Sequence, residues 1–177
     1  MSEPLTADYE ITLRVDAPVS AVWEEISTLD QLLARAPEVL SVEPHPREPD
    51  RAIWQGRMVW GRLKWNVDGD ARILERKAGK HLLFSSEIPT LDARYQGIFV
   101  LAPGAKDVTV LGYRGSFVCR HRLHRFMKPA LTSVLKDHVE TVATRVAHRA
   151  AKHSRFEASM ALRKARELGL LDDEAAV

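Results

Sequence analysis

The stretch from Leu123 to about Ala150, LHRFMKPALTSVLKDHVETVATRVAHRA, constrains what this chain can fold into more than any other. Apolar side chains fall at Leu123, Met127, Leu131, Val134, Val142 and Val146, and Phe126, Ala130, Leu135 and Val139 widen the row. Intervals of three, four and their sums place all of them on one side of a helix. An apolar face that wide needs a large surface to lie on, and the preceding residues read as a sheet. Pro129 sits inside the pattern, so either a turn precedes it or the helix kinks there.

The sheet is legible in alternation. Tyr9, Ile11, Leu13 and Val15 fall on one side of a strand, with Glu10, Thr12, Arg14 and Asp16 on the other. At Pro18 the period changes, and Val19, Val22, Trp23 and Ile26 recur at helical spacing to about Ser27. Thr28 and Gln31 fit a capping box for a second short helix over Leu29 to Ala36, ended by Pro37. Strands are then expected over Val39–Val42, Ile53–Trp60, Leu63–Leu74, His81–Ser86, Ala93–Leu101 and Val108–Val118. Gly69 suggests a bulge or bend in the third of these. Short turns and no intervening crossover helix imply an antiparallel meander. Ser154 and Glu157 match a second capping box, which predicts a separate helix from about Arg155 to Leu168, closed by Gly169 and followed by an acidic tail. The expected division is a domain over 1–150 and a helical extension over 151–177.

At 177 residues the chain suits one domain that buries roughly two thirds of its unfolded surface without staples. Its single cysteine, Cys119, has no intramolecular disulfide partner. The polar, acidic start MSEPLTADYE lacks the features of a secretory signal, and no apolar run is long enough to cross a bilayer, so a cytoplasmic location is expected. Charge is uneven. Residues 1–119 hold 14 Lys and Arg against 17 Asp and Glu, whereas 120–166 hold 12 against 3. That basic region suits either a solvated helix face or contact with a ribosome, nucleic acid or anionic membrane.

One strand, two short helices, about six further strands in a meander and a long terminal helix resemble the helix-grip fold of the START-like (SRPBCC) superfamily. Within it the chain is most similar to polyketide cyclase/dehydrase-like proteins and relatives associated with carbon monoxide dehydrogenase. Three segments carry the resemblance: Val15-Asp16-Ala17-Pro18-Val19-Ser20-Ala21-Val22-Trp23, Tyr95-Gln96-Gly97-Ile98-Phe99-Val100-Leu101-Ala102-Pro103, and the Pro-interrupted terminal helix. Many relatives have an aromatic residue before a proline after the first helix, where this chain reads Leu32-Leu33-Ala34-Arg35-Ala36-Pro37. The resemblance implies an α+β fold of about seven antiparallel strands around the helix. It also implies a cavity between the two for an apolar or amphipathic small molecule, and no cofactor.

Candidates to line such a cavity are Trp54, Met58, Trp65, Phe84, Phe99 and Tyr113 from the strands, with Met127 and Leu131 from the helix. Equally, these side chains could fill the core outright. Arg57, His81, Arg94 and Arg114 lie within strands, and His138 lies beside the helix's apolar row. Inside a cavity they would need partners and could bind a carboxylate or polarise a carbonyl; outside it they decorate a wet face. His121 and His124 stand three apart, but no HExxH, CxxC, GxSxG, P-loop or GxGxxG motif is present, and no metal is expected.

Three functions fit. The first is binding or carriage of a lipid, isoprenoid or aromatic polyketide-like molecule. A polyketide cyclase or aromatase would need at least two polar side chains meeting inside the cavity. An interaction module would use the basic terminal region, either on a partner surface or paired with its copy in a homodimer.

Overall fold

The computed structural model describes residues 4–60, 62–120 and 124–167. In chain order the elements are β1 (Leu5–Val15), α1 (Val19–Ile26), α2 (Leu29–Leu33), β2 (Val39–Pro44), β3 (Arg51–Trp60), β4 (Leu63–Lys77), β5 (His81–Ile88), a 3₁₀ turn at Pro89–Leu91, β6 (Ala93–Pro103), β7 (Thr109–Cys119) and α3 (His124–Glu167). All seven strands form one sheet in the order β1-β7-β6-β5-β4-β3-β2. Every pairing is antiparallel. Strands β2 to β7 run as a meander, and β1 closes the far edge by pairing with β7 from Leu5↔Cys119 to Val15↔Thr109. This is the helix-grip fold, an α+β arrangement with α3 held by the sheet.

The core sits between the sheet's inner face and α3. Leu135, Val139, Val142, Ala143, Val146 and Ala150 are buried along one side of α3. The three valines are almost completely out of water, and each such burial is worth roughly 1.5–3 kcal/mol. Most of α3's packing is against β1, α1 and β7. Polar bonds help fix the frame: the buried Thr109 Oγ1 donates to the Ala17 carbonyl at 2.8 Å, and the half-buried Tyr9 Oη donates to Glu140 Oε1 of α3 at 2.5 Å.

Four local expectations are corrected. No break precedes Arg155, because α3 continues unbroken from His124 to Glu167 with Pro129 inside it. Glu157 does not cap a new helix; it meets His153 one turn back at 3.2 Å, an ordinary intrahelical ion pair. Beyond Ala150 the helix leaves the sheet, and Phe156 (64%), Met160 (50%) and Leu162 (53%) are exposed. Thr28 precedes α2 in extended conformation, but its side chain caps nothing. Gly169 and the acidic tail lie outside the described residues.

The fourth correction concerns Gly69. It pairs in regular register with Trp54, and the bulge in β4 falls between Ile73 and Glu75. What Gly69 supplies is room, since a Cβ there would lie 2.3 Å from Cε2 and Nε1 of the Trp54 indole. The indole therefore lies flat over the glycine across the strand pair. A Gly69→Ala substitution should cost about 1–3 kcal/mol through overpacking and outweigh the gain from stiffening the unfolded chain. Urea denaturation measures it, and a midpoint equal to wild type would contradict the packing described.

Candidate functional site

A cavity of about 410 Å³ opens between α3 and the inner face of the sheet. Trp54 and Met58 of β3, Phe84 and Ile88 of β5, and Tyr113 and Phe117 of β7 form its sheet wall. Leu131, Val134, Leu135, His138 and Val142 form its helix wall. At one end it is closed by Leu32 and Leu33 of α2 and by Ala36-Pro37-Glu38, the connection into β2. Two-residue alternation puts Ala52, Trp54 and Gly56 inward on β3 and Tyr95, Gly97 and Phe99 inward on β6. Gly56 positions the closing segment: a Cβ there would stand 2.4 Å from the Glu38 carbonyl oxygen, which accepts from the Arg57 N–H at 2.7 Å.

Three pairs of polar groups mark these walls. Trp54 Nε1 donates to Ser86 Oγ at 2.8 Å. Tyr95 Oη and Tyr113 Oη share a hydrogen bond of 2.5 Å. The Tyr113 ring lies parallel to Phe99, centroids 3.9 Å apart, so Phe99 stiffens the wall from behind. From the helix side, His138 Nδ1 approaches Glu38 Oε1 at 2.6 Å, and its ring stands edge-on to Tyr95 with centroids 5.1 Å apart. No well-aligned N–H···O bond accompanies the His138–Glu38 approach, so it is a close polar contact rather than a hydrogen bond.

These surroundings set the ionisation of the walls. Burial pushes the Tyr95 phenol well above its ordinary value, and Tyr113 and the Glu38 charge push the same way. Burial likewise raises Tyr113, against the hydrogen bond from Tyr95 and with the Glu38 charge. Both phenols are therefore neutral hydroxyls over the physiological range. Glu38 behaves oppositely. Burial acts to raise its carboxyl, but the His138 charge and contact, a backbone hydrogen bond and the Arg145 charge outweigh burial, and the net shift is downward.

Of the residues singled out in the sequence, Trp54, Met58, Phe84, Tyr113, Leu131 and His138 meet around the cavity. Phe99 lies behind the wall, and Trp65, half-buried opposite Met58, does not border the space. The Met127 side chain lies outside the described residues. Arg57 reaches only the rim, with Nε 3.4 Å from Asn66 Oδ1 on the exposed face. Three polar candidates are corrected, because strand alternation or a hairpin end carries them away. Arg94 pairs with Glu87 at 2.5 Å and Arg114 with Asp8 at 3.5 Å, both on the outer face. His81 meets Glu75 at 2.6 Å beside the β4–β5 turn. Glu38, Tyr95 and Ser86 are wall residues that the sequence reading did not select. Tyr95 shares strand parity with Phe99, a usable signal; Glu38 has none, since its partner is a hundred positions away. Among the described residues no three His, Cys, Asp or Glu gather as metal ligands, and no helix is long and apolar enough to cross a membrane.

A family model described as polyketide cyclase / dehydrase and lipid transport matches residues 6–150. The chain belongs to this family. No curated protein matches it. Among solved structures, a conserved Geobacillus kaustophilus protein is similar at 18% identity and TM-score 0.67, over 84% of this chain and 96% of that one. The Zhui aromatase/cyclase from Streptomyces sp. R1128 is similar at 13% identity and TM-score 0.58, over 85% and 94%. A Thalictrum norcoclaurine synthase point mutant, in complex with a transition-state analogue, is similar at 13% identity and TM-score 0.61, over 86% and 99%. At such identities the likeness establishes the fold of this family member.

Two pH effects follow. The chain has three tyrosines, and the third, Tyr9, is also raised, first by its hydrogen bond to Glu140. For an acid raised on folding, the stability contribution is complete below the unfolded value and is lost as pH climbs through the folded one. The native protein should therefore show little phenolate absorbance at pH 10, the ordinary tyrosine value, and gain it on alkaline unfolding. Half-titration of the native chain at that pH would contradict the assignment. Glu38 is depressed on folding, so its contribution is present above the ordinary 4.5 and is lost as pH falls below it. Glu38→Gln should flatten the decline in urea midpoint below pH 4.5, and an acid limb identical to wild type would remove the His138–Glu38 pairing from the account.

Proposed function

We propose that this family member binds a hydrophobic small molecule, of lipid, isoprenoid or aromatic polyketide-like type, in the cavity between the sheet and α3. The observation that carries this is the combination of size and lining: about 410 Å³, walled by Trp54, Met58, Phe84, Leu131, Val134 and Leu135. Ligand pockets of roughly 300–1,000 Å³ with apolar walls and few placed polar groups are the usual form of such sites. Several of the polar wall groups are already paired, Trp54 with Ser86, Tyr95 with Tyr113 and His138 with Glu38, which lowers the cost of an apolar guest beside them. Met58 and Leu131, both partly buried, supply adaptable surface, which suits a guest of irregular outline. The ligand-binding unit is residues 1–150; exposure of Phe156, Met160 and Leu162 supports taking 151–177 as an extension.

A second reading, a cyclase-type enzyme, is favoured by one observation: His138, paired with Glu38, stands edge-on to the ring of Tyr95, whose neutral hydroxyl bonds to Tyr113, all on the cavity wall. A proton acceptor and a proton donor within one enclosure are what enolisation and cyclisation of a folded carbonyl chain require. Under this reading His138 removes a proton from the guest and the Tyr95–Tyr113 pair hydrogen-bonds the oxygen on which charge develops.

Native mass spectrometry of the purified protein and a thermal-shift panel of apolar ligands test the binding proposal. Matching ligands should raise the melting temperature, by about 2.7 kcal/mol of added stability at one hundred times Kd. Val134→Trp, which places an indole in the space, should abolish the shift while the protein stays folded. An unshifted melting temperature across the panel, with no co-purified molecule, would sink the proposal. Tyr95→Phe and His138→Gln separate the two readings, since a carrier keeps its ligand in both and a cyclase keeps the ligand but loses turnover.

A further inference from the structure

One helical turn along α3 from the cavity lies a second hollow, of about 460 Å³, lined by Ala34, Arg35, Thr144, Arg145, His148 and Arg149. It continues the seam between α3 and the segment after α2. Residues 36–38, 138 and 141 border the apolar cavity, while 34–35 and 144–149 border the hollow. The Arg145 charge acts on Glu38 of the cavity wall, lowering its carboxyl.

The hollow carries more positive charge than the protein around it answers. Glu25, buried beneath it, accepts from Arg35 Nη2 at 2.7 Å and from Arg149 Nε at 3.2 Å. Arg145 Nη1 donates to a carbonyl, that of Arg35, at 3.0 Å. Three guanidinium groups thus share one carboxylate there, leaving two positive charges; Glu38 has its own partner in His138. Arg35 Nε is buried with no protein acceptor, one of two such side-chain atoms among the described residues, the other being His138 Nδ1. Ion pairs to Glu25 tie the mostly buried Arg35 and the more exposed Arg149 to one carboxylate, and Thr144 adds a hydroxyl to the same lining. Planar guanidinium forks gathered around one surface match the oxygens of a tetrahedral dianion and can bind it bidentately.

We propose that this hollow, formed by Arg35, Arg145 and Arg149 over Glu25, is a binding site for a phosphate-type dianion, the group carried by a phosphate monoester. The dianion supplies the two charges that Glu25 leaves unanswered. Its source is either a free phosphate or the headgroup of an amphiphile whose tail lies in the apolar cavity one turn away. The anion site stands whether or not the cavity takes a guest; only the headgroup source rests on the binding function proposed above.

The test is titration of the full-length protein at low salt with inorganic phosphate, decyl phosphate and decanol, followed by calorimetry and by the arginine Nε–H resonances. Inorganic phosphate should saturably shift the Arg35, Arg145 and Arg149 signals. The double variant Arg145→Gln with Arg149→Gln should weaken binding about tenfold or more, as expected for loss of charge-assisted bonds. Lys152→Gln with Arg163→Gln, on the exposed extension, should leave it unchanged. Absence of saturable shifts with both phosphates, or equal weakening in both double variants, would overturn the proposal, the latter because it reports diffuse surface charge. Decyl phosphate binding no tighter than inorganic phosphate identifies a free anion as the source; tighter binding that needs the arginines identifies the headgroup. Decanol reads the cavity alone, so failure of the cavity and failure of the anion site give different results.

Discussion

The seam where Val139, Val142, Ala143 and Val146 of α3 meet β1, α1 and β7 is the interaction on which the other features depend. It is dry, completely buried and off-centre with respect to the sheet. Anchored along that side, α3 does not close on the inner faces of β3 and β5, and large side chains including Trp54, Phe84 and Met58 line the space between. The cavity is thus a consequence of where the helix is fixed. Apolar packing alone would leave the helix free to slide along such a seam. The Tyr9–Glu140 bond and the Glu25 link to Arg149 pin it at two places along its length.

Several polar groups around the cavity meet a partner supplied by another element. Tyr95 meets Tyr113 across β6 and β7, Trp54 meets Ser86 across β3 and β5, and His138 on α3 meets Glu38 before β2. The Trp54–Ser86 and His138–Glu38 pairs tie together elements that share no ladder, whereas Tyr95–Tyr113 adds a side-chain bond between strands already paired. A carboxylate or phenol in such surroundings costs several kcal/mol if left alone, so the pairs also select the one register in which all are made. That is why the walls are rigid enough to keep the space open, and why the ionisation of Glu38 and that of Tyr95 shift in opposite directions within one site.

Nearly all of the architecture was legible in the sequence, and the reason is periodicity. Alternation in Tyr9–Val15 and helical spacing in Leu131–Val146 are local patterns, fixed by which face must be dry. Trp54, Met58, Phe84, Tyr113 and Leu131 could be singled out because they continue those rows. The misses have one cause as well. Gly69 looked like a break because its purpose, holding the Trp54 indole, belongs to the neighbouring strand. Arg94 and Arg114 looked available because the side a charged strand residue faces depends on register, which a single strand does not encode. Glu38 carries no signal, since what makes it a wall residue is His138, brought to it only by the completed fold. Ser154–Glu157 matched a capping box inside an uninterrupted helix because capping residues are common and nothing before them ends α3.

Charge distribution connects the two ends of this reasoning. The excess of Lys and Arg over Asp and Glu in residues 120–166 looks in the sequence like a property of one basic helix. The fold divides it into parts with different surroundings. Lys136 lies 3.9 Å from Glu140 on the β1 side, and Arg163 meets Glu167 on the exposed extension; both pairs are solvated and contribute little. Arg145 and Arg149 instead turn toward the end of α2, where Arg35 already stands and where Glu25 is the carboxylate in contact. Like charges brought together beside a buried carboxylate raise the local potential well above that of a scattered surface. Arg145 and Arg149 share one face of the helix by their spacing, and packing brings that face to Arg35. It is the grip on α3 that gathers them into one hollow next to the apolar cavity.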